Sequence, residues 1–129
     1  MISAGTPQDT AAVAVLYVCA DRGTLMPSLG AERAEAEGRA FAQQHRFKLA
    51  EVITDKYGEP DPAQRRGWQR VRELAQAGAV GAVLVRWPAA IAPEAAHDLR
   101  YRETSWLQEQ GVRIRYTWAP LAKTAGEDR

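Results

Sequence analysis

The chain has 129 residues, which is the size of one ordinary domain. Its 17 lysines and arginines nearly balance its 16 aspartates and glutamates, and a net charge of +1 argues against a strongly basic nucleic-acid-coating protein. The one cysteine, Cys19, excludes an intramolecular disulfide and a zinc site built on several cysteines. We find no basic signal peptide and no apolar run of about 18 residues, so we expect a cytoplasmic protein of bacterial type with no membrane partner.

The chain begins with a polar segment and an apolar strand. Residues 1–10 are predicted to form a flexible arm, because they are polar and contain both glycine and proline. Residues 11–19 are a continuous apolar run, which is typical of a strand covered on both faces. The domain itself is therefore predicted to span 11–118, and the polar end, 119–129, is predicted to form a flexible tail.

A helix and a second strand follow. Residues 31–45 are rich in strong helix formers and predict the first helix. We expect the apolar face of this helix to consist of Ala36, Ala40 and Phe41. Residues 47–54 alternate between apolar and polar types, which predicts a strand. One side of that strand would carry Phe47, Leu49 and Ile53.

The next segment predicts a second helix and a third strand. Asp61 followed by Pro62 is a helix-start signal, and the helix would run to about Ala77. Residues 79–85 predict a strand that is buried on both faces. The core stripe of the helix would consist of Trp68, Val71, Leu74 and Ala75.

The last part of the domain predicts a third helix and a fourth strand. The helix would begin at Pro93 and end at Gly111. Its inward residues would be Leu99, Trp106 and Leu107. Residues 112–118 alternate, so one face of the fourth strand would be buried while Arg113 and Arg115 face solvent.

The order β-α-β-α-β-α-β predicts an α/β fold. Strands that alternate with helices form a mainly parallel sheet, here of about four strands, with helices on both faces in a three-layer sandwich. In such folds the functional groups lie at the carboxyl ends of the strands. These ends lead into residues 19–23, 55–58, 86–88 and the segment after Trp118.

The strand ends carry few patterns that predict chemistry. Asp21 follows the first strand, but Ala20 and Arg22 occupy the places of the two aspartates in the phosphatase pattern D-x-D-G-T-L, so a turn-capping role is favoured. Cys19 is read as a small buried hydrophobe. With a single glycine, the segment 19–23 is not a dinucleotide loop, and no metal-ligand spacing occurs. We therefore predict no cofactor and no metal.

A group of arginines offers a second type of site. Arg65, Arg66 and Arg70, with Arg22 nearby in the predicted fold, are candidates for contacts with DNA phosphates. The alternative interpretation is an ordinary solvated helix face with partial compensation from Glu73. Because the whole chain is nearly neutral, any DNA binding is expected to be weak, independent of base sequence and sensitive to salt.

A series of short segments resembles one protein family in order and spacing. Val15-Leu16-Tyr17 followed by a loop resembles a first strand with Y-x-R-x-S, and Ser28-Leu29 resembles S-L-x-x-Q. The segments 39–47, 55–58, 65–74 and 77–85 resemble R-x-Y-A…G-W, D-x-x-x-S-G, R-x-x-L…L and A-G-x-x-D-x-V-L-V. The chain thus resembles the N-terminal catalytic domain of serine recombinases, the resolvase/invertase family.

The resemblance implies a site in which the chemical groups have changed. In the family, the serine of Y-x-R-x-S attacks a DNA phosphodiester, and arginines neutralise the charge that develops on the phosphate. Tyr17 keeps its place, but Cys19 stands where the family has arginine and Asp21 stands where it has the serine. Arg65 matches a family arginine and Asp55 matches the start of the next loop. The motif K-L-D-R-L-x-R falls on 87–93, which contains no charge.

These substitutions predict that the protein is not an enzyme. Loss of one positioned charge-stabilising donor costs about 10²–10³ in rate, and here the nucleophile and several arginines are replaced together. We expect a catalytically inactive serine-recombinase-like domain that acts as a protein-interaction module linked to DNA recombination, with a second copy or a recombinase-like protein as partner. Two alternatives are weak DNA binding and an Mg²⁺-dependent phosphohydrolase that uses Asp21 and Asp55.

Overall fold

The computed structural model of the protein describes residues 12–19, 27–56 and 58–118, with the backbone alone at 27–29. Its centre is a four-stranded sheet in which every neighbouring pair of strands is parallel. The strands are β1 (Val13–Cys19), β2 (Lys48–Asp55), β3 (Ala82–Val85) and β4 (Arg113–Tyr116), in the spatial order β2-β1-β3-β4. The predicted arm, 1–10, and the predicted tail, 119–129, lie outside the described residues.

Three helices alternate with the strands, as the sequence predicts. They are α1 (Pro27–Gln44), α2 (Arg66–Gln76) and α3 (His97–Glu109). Short 3-10 turns occupy Pro62–Gln64, Pro88–Ala90 and Glu94–Ala96. None of the helices in the described part of the chain is long and apolar enough to cross a membrane.

The two faces of β1 support two separate apolar cores. Val15 and Tyr17 face a cluster that contains the buried residues of α2 and Leu107 of α3. Leu16 and Val18 face a second cluster that contains the buried alanines of α1. Because successive strand side chains point to opposite faces, this division places α1 on one side of the sheet and α2 and α3 on the other. The predicted three-layer α/β sandwich is confirmed.

An irregularity in β2 corrects the predicted strand face. Ala14 pairs with Leu49, whereas Val15 pairs with Glu51, so the register shifts by one residue between them. The extra residue changes the side to which later side chains point. Leu49 consequently packs on the α1 side of the sheet, and Ile53 packs on the side of α2. The prediction that Leu49 and Ile53 share one face with Phe47 is wrong for this reason.

The face of α1 also differs from the prediction. Ala36 and Ala40 are exposed, and the residues that turn towards the sheet are Ala34, Gly38 and Ala42. These three small residues at intervals of four form one line on the helix, so the backbone can lie close to β1. Phe41 lies beside this line and is half-buried. The helix begins at Pro27, four residues before the predicted start.

The second predicted helix is divided near its start. Asp61 caps as predicted, since its Oδ1 accepts a hydrogen bond of 3.0 Å from the N–H of Ala63, but the turn that follows is 3-10 and ends at Gln64. Arg65 has extended backbone angles, with φ −92° and ψ 131°, and α2 begins only at Arg66. The predicted core stripe is confirmed: the buried residues of α2 are Trp68, Val71, Leu74 and Ala75.

The last helix and strand are shorter than predicted. Helix α3 begins at His97 rather than Pro93, and Leu107 is fully buried whereas Leu99 and Trp106 are only partly covered. In β4 the predicted division into a buried and a solvent face is incomplete, because Tyr116 is 40% exposed and Arg115 is half-buried. The reason is that β4 is the border strand of the sheet and has a neighbouring strand, β3, on one side only among the described residues.

Two glycines of α1 provide a matched test of the close contact with β1. A Cβ at Gly38 would collide with the Leu16 side chain, whereas one at Gly30 would meet no atom of the described residues within 4 Å. We expect Gly38→Ala to lower the free energy of unfolding by about 1–3 kcal/mol, because the overlap outweighs the ~1 kcal/mol gain in helix propensity. Gly30→Ala is expected to be neutral or stabilising. Chemical denaturation measures both, and a stabilised Gly38→Ala would contradict the close packing.

Candidate functional site

Three of the residues that the resemblance selects form one hydrogen-bonded cluster at the carboxyl end of the sheet. Tyr17 lies near the end of β1, Asp55 is the last residue of β2, and Arg65 lies just before α2. The Tyr17 hydroxyl donates to Asp55 Oδ2 over 2.7 Å and accepts from Arg65 Nη1 over 3.2 Å. We call these three residues the Tyr17 cluster.

The guanidinium of Arg65 is directed into the protein. Only 7% of the residue is exposed, although arginine is rarely buried. Its Nε donates to the carbonyl of Glu59 over 2.8 Å, and Nη1 donates to the carbonyl of Ala90 over 2.9 Å. A longer contact of 3.5 Å joins Nη2 to the carbonyl of Pro60. Arg65 therefore connects two backbone segments, at residues 59–60 and at Ala90, with the hydroxyl of Tyr17.

Asp55 closes the first turn of α2. Its Oδ1 accepts from the N–H of Gly67 over 2.8 Å, and its Oδ2 accepts from the N–H of Trp68 over 3.0 Å. A carboxylate at a helix N-terminus satisfies N–H groups that have no partner within the helix and interacts favourably with the helix dipole. A Cβ at residue 67 would lie 2.6 Å from the Asp55 oxygens, so glycine is required for this approach.

Burial controls the ionisation of Tyr17. It raises the pKa of the phenol well above its usual value, and the charge of Cys19 and the hydrogen bond to Asp55 act in the same direction, while Arg65 opposes them. The ring of Tyr17 contacts the ring of Trp68 edge-to-face, with centroids 5.0 Å apart. The hydroxyl is therefore held protonated, as a hydrogen-bond donor to Asp55.

A second buried charge adjoins this cluster, and the sequence analysis missed it. Glu103 of α3 is fully buried, and its Oε1 accepts from Trp68 Nε1 over 2.8 Å. Arg72 lies 3.1 Å from the same oxygen, and Arg102 donates to Oε2 over 2.8 Å. Arg102 also contacts Asp61 at 2.6 Å, which lowers the pKa of that carboxyl. In the sequence, a glutamate three residues before Trp106 and four before Leu107 is the one signal that could have placed it inwards.

Cys19 lies at the rim of a very small cavity. The cavity has a volume of about 10 Å³, which holds at most one water molecule, and its lining includes Tyr17, Arg86 and Trp87. Cys19 itself is half-buried. Asp21, which stands where the family has its nucleophile, lies outside the described residues, as does Arg22.

The candidate phosphate-binding arginines have different environments. Arg65 is buried, as described above. Arg70 is exposed but makes ion pairs with Glu51 at 3.0 Å and with Glu73 at 3.1 Å. Arg66 is exposed at the start of α2. The described residues therefore do not form one basic surface in which Arg65, Arg66 and Arg70 act together.

The uncharged segment 87–93 contributes backbone rather than side-chain charge. The carbonyl of Ala90 accepts the hydrogen bond from Arg65, and Ile91 is fully buried in the core. Trp87 is half-buried against Trp118, with ring centroids 5.1 Å apart. The segment 87–93 thus supplies a carbonyl oxygen that accepts from the buried guanidinium of Arg65.

The surroundings of Asp55 do not favour the Mg²⁺ site of the phosphohydrolase hypothesis. Both carboxylate oxygens of Asp55 already accept hydrogen bonds from Tyr17, Gly67 and Trp68. Within 12–19, 27–56 and 58–118, no group of three histidine, cysteine, aspartate or glutamate side chains is placed to hold a metal ion.

Comparison with solved structures finds the same fold in several recombinase domains. The C-terminal catalytic domain of ISC1926 TnpA, an IS607-like serine recombinase, superimposes with a TM-score of 0.71 and 17% identity, covering 89% of this chain and 76% of that one. This chain has the fold of a serine recombinase catalytic domain. The N-terminal catalytic domain of TP901-1 integrase gives a TM-score of 0.65 with 13% identity, over 81% of this chain and 76% of the other.

A resolvase family site-specific recombinase from Streptococcus pneumoniae is similar to the same extent. Its TM-score is 0.65 with 17% identity, and the match covers 90% of this chain and 83% of that chain. No protein-family model and no curated protein matches the sequence. The resemblance seen in the sequence is thus confirmed in the fold, at an identity that carries no information about activity.

The buried phenol predicts a pH dependence at the alkaline end. Because the pKa of Tyr17 is raised by folding, its contribution to stability is present below about pH 10, the unfolded value, and is lost above it. The loss should approach about 1.4 kcal/mol per pH unit. Denaturation at several alkaline pH values should show that Tyr17→Phe removes this part of the slope. Tyr101→Phe, at a residue that is 72% exposed, is the control and should keep the wild-type slope.

A pair of variants, at Arg65 and at Arg66, tests whether the side chain of Arg65 stabilises the fold. Arg65→Met removes the donors to Glu59, Ala90 and Tyr17 and leaves buried acceptors without partners, so we expect a loss of about 3 kcal/mol in the free energy of unfolding. Arg66→Met changes an exposed residue and should stay within about 0.5 kcal/mol of the wild type. Equal free energies of unfolding for the two variants would show that the hydrogen bonds of the Arg65 guanidinium do not stabilise the fold.

Proposed function

We propose that this protein is a catalytically inactive serine-recombinase-like domain that acts as a protein-interaction module linked to DNA recombination. The observation that carries the proposal is the internal use of the Tyr17 cluster. Arg65, which matches the arginine of the family motif R-x-x-L…L, donates its hydrogen bonds to the protein itself. Catalysis of phosphoryl transfer needs donors that point at the place where charge develops on the substrate.

The sequence supports the same conclusion independently. Cys19 and Asp21 stand where the family has an arginine and its serine nucleophile, and 87–93 has no charge. A carboxylate is a poor nucleophile towards a phosphodiester in the absence of a metal, because both groups are negatively charged. The carboxylate of Asp55 accepts hydrogen bonds from three donors of the protein itself.

The features that this chain shares with the family are those that build the fold. Both cores are well formed, with Trp68, Tyr17 and Leu16 among the largest fully buried side chains. The hydrogen bonds of the Tyr17 cluster are made within the protein, so the outer surface of the domain is the part available for a function. This supports binding to another protein over turnover of a substrate. The fold shared with recombinase catalytic domains is the ground for proposing a partner that acts in DNA recombination.

The two other hypotheses find less support. DNA binding through Arg22, Arg65, Arg66 and Arg70 would have to rely on Arg66 and on Arg22, because Arg65 is buried and Arg70 is paired with two glutamates. A phosphohydrolase would have to use Asp55, whose oxygens are already occupied.

The absence of catalysis is tested by looking for a covalent protein–DNA adduct. The protein is incubated with labelled duplex DNA, the mixture is denatured, and the label is followed on a denaturing gel. An active serine recombinase domain on its own site serves as the positive control. We expect no labelled protein band here.

An adduct that disappears in Asp21→Asn or in Cys19→Ser would overturn the proposal and identify the nucleophile. Titration of labelled duplex at low salt runs beside this assay. Saturable binding that weakens in Arg66→Met would instead favour the DNA-binding hypothesis.

A further inference from the structure

The border strand β4 presents backbone groups that the sheet does not use. The N–H of Arg113 donates to Gly81 and the N–H of Thr117 donates to Val85, so these residues face β3. Successive N–H groups of a strand point to opposite edges. The N–H and C=O groups of Ile114 and Tyr116 therefore point away from β3, along an edge that no other strand of the described residues covers.

Open grooves lie on both sides of this edge. One has a volume of about 460 Å³ and lies between α3 and β4, where Tyr101, Thr104 and Gln108 face Ile114 and Tyr116. The other has a volume of about 450 Å³ and is lined by residues 108 and 111–115. Both volumes are in the range of ligand-binding clefts. The two grooves meet at Ile114, so an extended chain laid along β4 would fill both.

The two grooves differ in chemical character. The first carries two exposed aromatic side chains, Tyr101 at 72% and Tyr116 at 40% exposure, and tyrosine is enriched at protein interfaces. His97 and Arg100 also line this groove, and the Arg100 guanidinium donates to the carbonyl of Ala92. The second carries the two arginines of β4, Arg113 and Arg115. The guanidinium of Arg115 lies over the ring of Phe41 at 5.2 Å, which holds the positive charge beside β4.

The same arginines argue against a second copy of this chain as the occupant. In an antiparallel pair of two β4 strands, Arg115 would lie opposite Arg113 or Arg115 of the second copy, on the same face of the sheet. Like charges directly opposite each other destabilise a strand pair. The charge pattern instead fits a strand with acidic residues at every second position and apolar residues between them.

We propose that β4 is the binding surface for an extended segment of another protein, which adds a strand to the sheet at Ile114 and Tyr116. Acidic side chains of this segment would face Arg113 and Arg115, and apolar side chains would face Tyr101 and Tyr116. Backbone hydrogen bonds give affinity in this mode of recognition, and the alternate side chains give specificity. The assignment rests on the proposed function, because it names the surface and the kind of partner of the interaction module.

The test uses the full isotope-labelled chain and short synthetic peptides. The probe is a peptide in which glutamate alternates with valine; one control has lysine in place of each glutamate, and the other has the same composition in scrambled order. We expect the alternating acidic peptide to shift the amide resonances of Ile114 and Tyr116 and to slow their hydrogen exchange. Both controls should bind at least about tenfold more weakly, as expected for loss of complementary charges or of the alternation.

Two pairs of variants separate backbone pairing from charge. Tyr116→Pro removes an N–H that faces solvent, which an edge strand tolerates, and it should weaken binding by about fivefold or more relative to Tyr116→Val. Arg115→Glu should reverse the preference, so that the lysine peptide binds better than the glutamate peptide. Circular dichroism and thermal unfolding of each variant establish that the domain is folded.

Several results would overturn the assignment. Strong protection of the Ile114 and Tyr116 amides in the free protein would mean that this chain or a second copy already covers the edge. Equal binding of the acidic, lysine and scrambled peptides, or no binding at millimolar concentration, would also refute it. If the peptide result is negative while no protein–DNA adduct forms, only the β4 surface is wrong. If an adduct forms, the proposed function itself fails.

Discussion

A buried guanidinium dictates how the carboxyl end of this sheet is built. Arginine cannot lose its proton in a protein, so Arg65 can lie inside only if acceptors surround its N–H groups. The protein supplies the carbonyls of Glu59 and Ala90 and the hydroxyl of Tyr17. These acceptors come from the loop after β2, the segment after β3 and β1 itself. One side chain thereby fixes the relative places of three segments that are far apart in the sequence.

Helix α2 is positioned by two carboxylates and by its apolar stripe. Asp55 holds its N-terminus, and Glu103 holds the indole of Trp68, whose ring also lies against Tyr17. Each carboxylate is fully engaged by donors, which is the condition under which a charge is tolerated in a core. Glu103 in turn contacts Arg72 of α2 and Arg102 of its own helix, so the buried carboxylate joins α2 to α3 through partly exposed arginines. The same groups that could serve chemistry in an open site here serve the packing of helices on the sheet.

The sequence determined the topology much better than it determined the faces. Strands β1 and β3 are apolar throughout, and the stripe from Trp68 to Ala75 has helical spacing, so these elements were predictable from local pattern alone. The face of β2 was not, because one additional residue near Ala50 reverses the side on which Ile53 lies. The face of α1 follows from how closely a helix can approach Leu16, which depends on tertiary contact. The resemblance brought together Tyr17, Asp55 and Arg65, but no local signal revealed that their bonds are directed inwards.

The carboxyl ends of β1 and β2 differ from the outer edge of β4 in whether their polar groups already have hydrogen-bond partners. Among the described residues at the carboxyl end of β1 and β2, side chains and carbonyls satisfy each other, so binding to these groups would first have to break internal hydrogen bonds. Along β4 the groups of Ile114 and Tyr116 face outwards, and a partner would gain hydrogen bonds without breaking any among the described residues. Edges of this kind are usually protected by charge, and Arg113 and Arg115 provide it. The two arginines disfavour pairing with a second β4 strand and favour pairing with an acidic strand. The feature that keeps the domain from pairing with itself therefore also selects the partner.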